Sequence, residues 1–148
     1  MAKRLTRAEV PAELTWRIED LFATYADWEA ALASIDAAVE SFGRFRGRLA
    51  EGASLFLECM EEAEALERKA YPMMLYAHML IATDGTDPAN QAAAGRAGAA
   101  AASAHAGLAF LEPEIVSLPD GTVQRYMAEE PRLEPFRRNL ERILADKP

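Results

Sequence analysis

The chain has 148 residues, a single cysteine and a net charge of -8. A lone cysteine excludes an intramolecular disulfide framework and suits a reducing compartment. The acidic balance, with a pI near 4.8, argues against nucleic acid and anionic membranes as main partners. A hydrophobic content of 51% with 27% charged residues describes a globular chain, and 31 alanines, the best helix former, point to an all-α protein. The length suits one helical domain over residues 1–148.

The basic start, Met1 to Arg7, runs into Glu9, Pro11 and Glu13 and has no apolar stretch behind it, so it does not read as a signal peptide. Residues 1–13 read as an extended or disordered lead. Thr15 to Phe22 is an apolar-rich piece expected to make one or two helical turns that anchor the N-terminus. Thr24-Tyr25-Ala26-Asp27 has the form of a capping box. Behind it, Trp28, Leu32, Ile35, Val39 and Phe42 fall at steps of four and three, one stripe of an amphipathic helix. Gly43 and Gly47 bracket its end, with Phe45 and Leu49 as apolar plugs.

Ser54 is the expected cap of the next helix, whose apolar face is Leu55, Cys59, Ala63, Leu66 and Ala70, with glutamates from Glu58 to Glu67 covering the rest. Pro72 predicts a kink or break near Tyr71, because a proline inside a helix removes a hydrogen bond and crowds the preceding turn. Helix resumes through Met73–Ala82. Asp87 caps a further helix, with Pro88 well placed at its first position. That helix is expected to run to about Leu111, where Glu112-Pro113-Glu114 ends it. Its alanines permit close packing, which suggests an antiparallel hairpin with the Leu55–Ala82 segment. Ile115, Val116 and Leu118 form a short apolar piece. Asp120 is the expected cap of a helix over Val123–Glu130, and a last helix over Pro135–Ala145 turns Phe136, Leu140, Ile143 and Leu144 inward. The predicted fold is an all-α, multi-helix up-and-down bundle with a long antiparallel hairpin and short C-terminal helices. The run Ala97–Leu111 is too short and too mild to span a membrane, and the cytoplasm is the expected location.

The residues that could carry chemistry do not form a constellation. Neither His78 nor His105 has a second histidine three to five residues away, as a helical zinc pair needs. The residues three before them, Leu75 and Ala102, also exclude a Glu-x-x-His di-iron pattern. His78 is read as a partly buried, hydrogen-bonded structural residue and His105 as a packing or surface residue. Cys59, on the apolar stripe among acidic residues, is read as core, since a nucleophilic thiol wants an electropositive setting. The glutamate run reads as a solvated face. Gly43, Gly47 and Gly52 make no phosphate loop. Arg44, Arg46 and Arg48 form the local basic cluster, either a charged loop anchored by Phe45 or a contact for a partner's carboxylate. Trp16, Trp28, Tyr71, Tyr76, Phe110 and Tyr126 are expected in the core. No catalytic, cofactor-binding or metal-binding residue is assigned.

The order of segments nevertheless resembles the N-terminal domain of oligoendopeptidase F, a zinc metallopeptidase family related to thimet oligopeptidase. The resemblance starts at Leu14-Thr15-Trp16-Arg17-Ile18-Glu19-Asp20-Leu21-Phe22 and continues with Trp28-Glu29 and Phe45-Arg46-Gly47-Arg48-Leu49. It then takes in Tyr76-Ala77, Asp84, Thr86-Asp87-Pro88 and Gln91. Phe110-Leu111-Glu112-Pro113-Glu114-Ile115, Glu130-Pro131-x-Leu133, Phe136-Arg137-x-x-Leu140-Glu141 and Lys147-Pro148 follow. Arg17, where that family often has an acidic or polar residue, and Pro72 depart from the pattern.

The resemblance implies that these residues are the front part of a larger enzyme. Its catalytic domain, absent from this chain, would carry His-Glu-x-x-His and a downstream glutamate on zinc and hydrolyse short peptides. The helices here would form part of the wall of the substrate cleft, with that catalytic domain as their partner. The alternative is a standalone helical interaction or scaffold module with no enzymatic activity. A lobe separated from its partner should expose a contiguous apolar patch of at least a few hundred Å², unless a homodimer covers it.

Overall fold

The computed structural model describes Leu5 and residues 7–145. Residues 1–4 and 6 of the predicted lead lie outside the described residues, as does the Lys147-Pro148 pair. The remaining lead makes isolated 3-10 turns at Arg7–Glu9 and Ala12–Leu14, followed by one at Ile18–Asp20. Ile18, Leu21 and Phe22 pack on the core, and Phe22 meets the Tyr76 ring edge-on at 5.5 Å, so this piece does anchor the N-terminal segment.

Thr24 opens α1 (Tyr25–Phe42) with the anticipated capping box. Its hydroxyl accepts from the Asp27 N–H at 3.1 Å, and its own N–H donates to the Asp27 carboxylate at 3.0 Å. Backbone donors that a helix start leaves unpaired are thereby satisfied. Trp28, Ile35 and Phe42 are buried, and Leu32 and Val39 are half-buried beside them.

α2 (Ala53–Thr83) corrects two expectations. Its N-cap is Gly52 rather than Ser54, at φ 149° and with no side-chain cap, a conformation open to glycine and strained for other residues. Pro72 does not break it, because α2 is continuous over 31 residues. Pro72 has no N–H for the Arg68 carbonyl, and an interior proline costs about 3 kcal/mol. Directly after it, Met73, Tyr76 and Ala77 are buried, and burying a large apolar side chain contributes roughly 1.5–3 kcal/mol each. The Trp28 indole N–H also donates to the Met73 carbonyl at 3.0 Å, tying α2 to α1 beside the proline. Tertiary packing outweighs the local defect.

Asp87 caps α3 (Pro88–Leu108) as expected, accepting from Ala89 N–H at 2.8 Å. α3 stops earlier than the reading to Leu111. After Ala109 and Phe110, a separate α4 (Leu111–Ser117) begins. Pro113 lies in the first turn of α4, where its missing N–H is no loss, so it helps to start a helix rather than end one. α5 (Thr122–Glu129) is capped by Gly121 at φ 79° with no side-chain cap, not by Asp120. A 3-10 stretch over Pro131–Phe136 leads into α6 (Arg137–Ala145), which therefore starts two residues after the expected Pro135.

The long helices run up, down and up. Arg96 pairs with Glu29 at 2.6 Å and Ser103 donates to Asp36 at 3.0 Å, which places α1 and α3 side by side in the same direction. α2 is antiparallel to both and forms the expected hairpin with α3. The short helices close one end. The architecture is all-α, and no strand occurs among the described residues. No helix is long and apolar enough to cross a membrane, again among the described residues.

The buried side chains form two clusters. One gathers Phe42, Phe45, Phe56, Leu57, Tyr126, Leu133, Leu140 and others where α2 meets the short helices. The second lies among the three long helices, with Trp28, Ile35, Leu66, Met73 and Tyr76 against Ala93, Ala97 and Ala104.

Candidate functional site

The alanines that bring α3 close to α1 leave a trough on another flank of the hairpin. Large side chains on one face of α2 stand opposite small ones on α3. The trough is a cavity of about 540 Å³ lined by Tyr71, Met74, Leu75 and His78 of α2 and by Ala101 and Ala104 of α3, among others. Tyr71 and Met74 are 71% and 45% exposed, although they stand within an otherwise apolar stripe. A second cavity of about 690 Å³ reaches on toward α4 and α6. Glu67, His105 and Leu108 line both, so the two form one groove along the bundle. α1 contributes no lining residue to either.

The groove is mostly apolar between Tyr71 and Leu108, and its charged side chains gather from Glu67 toward α4 and α6. Glu64, Glu67 and Glu112 supply carboxylates, and Arg142 supplies a guanidinium. Glu112 pairs with Arg142 at 2.5 Å, and Glu64 pairs with Arg68 at 2.6 Å. Glu67, at the junction of the two cavities, has no hydrogen-bond or ion-pair partner among the described residues. His78 corrects the reading of a partly buried, hydrogen-bonded residue: it is exposed and lines the groove. His105 is a surface residue, as one of its two readings held.

The other singled-out side chains serve the fold. Cys59 is fully buried. Burial pushes its thiol up to about 12, with the charges of Glu114 and Glu62 adding to the effect, so it is not a thiolate near neutrality. The basic cluster is occupied within the chain. Arg44 is held by Glu62 and Glu58, which raise its pKa further by accepting hydrogen bonds, and its guanidinium lies 4.2 Å from the Phe45 ring centre. Arg48 pairs with Glu51 at 2.8 Å, and Arg46 lies 4.9 Å from the Phe110 ring centre. Phe45 is fully buried, so this is a charged loop anchored by an aromatic. Glu58 and Glu62 within the acidic run are accordingly a counter-charge to that loop. Among the described residues, no group of three or more His, Cys, Asp or Glu is placed to hold a metal ion, and His78 and His105 do not fit the zinc that the resemblance implies for the longer enzyme.

Two aromatic expectations are overturned. Trp28, Tyr76 and Tyr126 are buried and Phe110 is half-buried, but Trp16 is 77% exposed and Tyr71, in the groove, 71%. Sequence reasoning also missed a long-range clamp. The Glu114 carboxylate accepts from the N–H groups of Gly47 at 2.8 Å and Leu49 at 2.9 Å, with Gly47 at φ 76°. No local pattern marks a contact between residues 65 and 67 positions apart.

Comparison with known proteins locates this arrangement. A family model described as oligopeptidase F matches residues 114–148. The oligopeptidase PepF of Bacillus subtilis is 27% identical over 96% of this chain, which spans 21% of that protein. The group B oligopeptidase PepB of Streptococcus agalactiae is 28% identical over 96% of the chain and 24% of its own length. The crystal structure of oligoendopeptidase-F from Enterococcus faecium superposes with a TM-score of 0.76 at 25% identity, over 84% of this chain and 24% of that one. A putative peptidase from Chlamydophila abortus has the same fold, with a TM-score of 0.78 at 21% identity over 95% of this chain and 24% of that one. The chain thus spans about a fifth to a quarter of the length of the relatives it matches.

Proposed function

We propose that this chain, similar along nearly its whole length to the N-terminal part of oligopeptidase F, is the noncatalytic lobe of a longer zinc metallo-oligopeptidase, located in the cytoplasm. In that role the helices form one domain and part of the wall of a cleft in which short peptides are hydrolysed. Zinc and the water-activating glutamate belong to the catalytic part, and this segment supplies shape rather than reacting groups.

The observation that carries the reading is the extent of the match. All but a few percent of the chain aligns with 21% of one peptidase, and its helices superpose on 24% of another.

The test is the reading frame beyond codon 148. Continuation into His-Glu-x-x-His on a predicted helix is the expected result, and a stop codon directly after Pro148 would favour the standalone interaction module. The 148-residue chain alone is expected to cleave no quenched fluorescent peptide and to carry no zinc after dialysis. Stoichiometric zinc with peptidase activity would overturn the reading.

A further inference from the structure

We infer that the groove between α2 and α3 is the seat of an apolar, basic-flanked segment from the remainder of the longer polypeptide. The inference rests on the lobe reading above and names the surface that the catalytic part covers.

The groove has the shape for such a segment. Two cavities joined through Glu67, His105 and Leu108 run past four helices, longer than a single side-chain pocket. Its α3 wall is Ala101 and Ala104 beside His105 and Leu108, so a packed element can approach closely at the two alanines. Opposite, Tyr71 and Met74 stand out from α2. They are large and apolar and have no cover, the composition found at the centre of protein interfaces.

Charge selects the occupant. Three carboxylates, one arginine and two histidines line the groove. Glu112 is paired with Arg142 and Glu64 with Arg68, which leaves Glu67 as the carboxylate for an incoming cation. Glu67 stands without a partner among the described residues, at the middle of the path. The whole chain is acidic, at -8, so a second copy would bring more negative charge to this surface. A segment with Lys or Arg beside its apolar residues satisfies both features. The relatives, of which this chain spans 21–24%, have length enough to supply it.

The experiment is thiol protection. Met74→Cys and, separately, Tyr71→Cys are introduced into the 148-residue chain and into the polypeptide translated from the full reading frame. Both positions are exposed, so neither substitution threatens folding, and the native Cys59 is buried. Glu40→Cys, exposed on α1 outside the groove, is the reference. In the short chain all three thiols should react with a maleimide at similar rates. In the longer protein the groove thiols should slow at least tenfold while the reference does not, and Glu67→Lys should restore much of their reactivity. If the frame ends at codon 148, the lobe reading itself fails. If the frame continues and the groove thiols stay as reactive as the reference, the lobe reading stands and this inference falls. Protection in the short chain that grows with its concentration, with a dimer in sedimentation, would give the groove to a second copy and also overturn it.

Discussion

The two buried clusters are built by opposite means. Where α2 meets the short helices, large side chains from distant parts of the chain interlock: Phe42, Phe45, Phe56, Tyr126, Leu133 and Leu140. Among the long helices, a few large residues on α1 and α2 meet a nearly bare α3, which contributes Ala93, Ala97 and Ala104. The first region holds by filled volume and the second by short distance between helices. The same kind of substitution should therefore have different consequences in each. Truncation hurts the first, and enlargement hurts the second.

The largest expected effect is in the first cluster. Phe56 is fully buried, with its ring 5.5 Å from that of Tyr126. Phe56→Ala removes that volume at a site walled by several elements, and a loss of about 3–5 kcal/mol is expected in urea unfolding. A loss under about 1 kcal/mol would show that this end repacks freely. In the second cluster the informative change adds one methyl. A Cβ at Gly107 would lie 2.7 Å from Val39 Cγ1 on α1. Valine in a helix has essentially one side-chain rotamer, so α1 and α3 must part. Gly107→Ala is expected to destabilise by about 1–3 kcal/mol, against the general rule that alanine improves on glycine in a helix. A stabilised Gly107→Ala would mean that close approach does not govern this interface.

The loop that joins the two regions should respond next. Glu114→Ala leaves the Gly47 and Leu49 N–H groups without the carboxylate that now accepts from both. A loss of about 1–3 kcal/mol is expected for such charge-assisted bonds. Glu114→Gln, which keeps one acceptor oxygen, should recover part of it in the same unfolding series.

How much of this was legible in the sequence divides along the same line. The capping box at Thr24, the Trp28–Phe42 stripe and the Asp87-Pro88 start are local chemistry, and each stands where the residues put it. The misreadings arise where partners lie far away. Pro72 signals a break by local rules, but Met73, Tyr76 and the Trp28 hydrogen bond hold α2 through it. Ser54 and Asp120 are good caps by type, yet the neighbouring Gly52 and Gly121 take the cap positions because the chain there needs positive φ. Standing among apolar residues, Tyr71 reads as core and His78 as partly buried, and both are exposed. The groove that exposes them lies opposite the small Ala101 and Ala104 of α3, a relation between two helices. That relation also explains why the groove, unlike a motif-bearing active site, has no signature of its own.

A smaller effect tests the first cluster through pH. The Cys59 thiol is pushed up to about 12 in the folded chain, against about 8.5 when unfolded. The native state holds this proton more tightly than the unfolded one. The resulting stabilisation is complete below about pH 8.5 and is lost as pH rises toward 12, at no more than about 1.4 kcal/mol per pH unit. Urea midpoints measured from pH 8 to 11 should fall more steeply for the native chain than for Cys59→Ala. Parallel curves would show that the thiol ionises without opening the cluster.

The smallest effect completes the contrast within α3. Gly95 and Gly98 are exposed, and a Cβ at either would meet nothing within 4 Å. Gly98→Ala should therefore follow helix propensity alone and stabilise by about 0.5–1 kcal/mol. The substitution is chemically identical to Gly107→Ala and sits on the same helix, nine residues away. Opposite signs at the two positions would point to the close approach to α1 at Gly107, which lies in the last turn of the helix whose interior holds Gly98. Equal signs would remove close helix approach as the organising feature of the alanine-rich region, and with it the reason that α3 is slim enough to leave a groove beside α2.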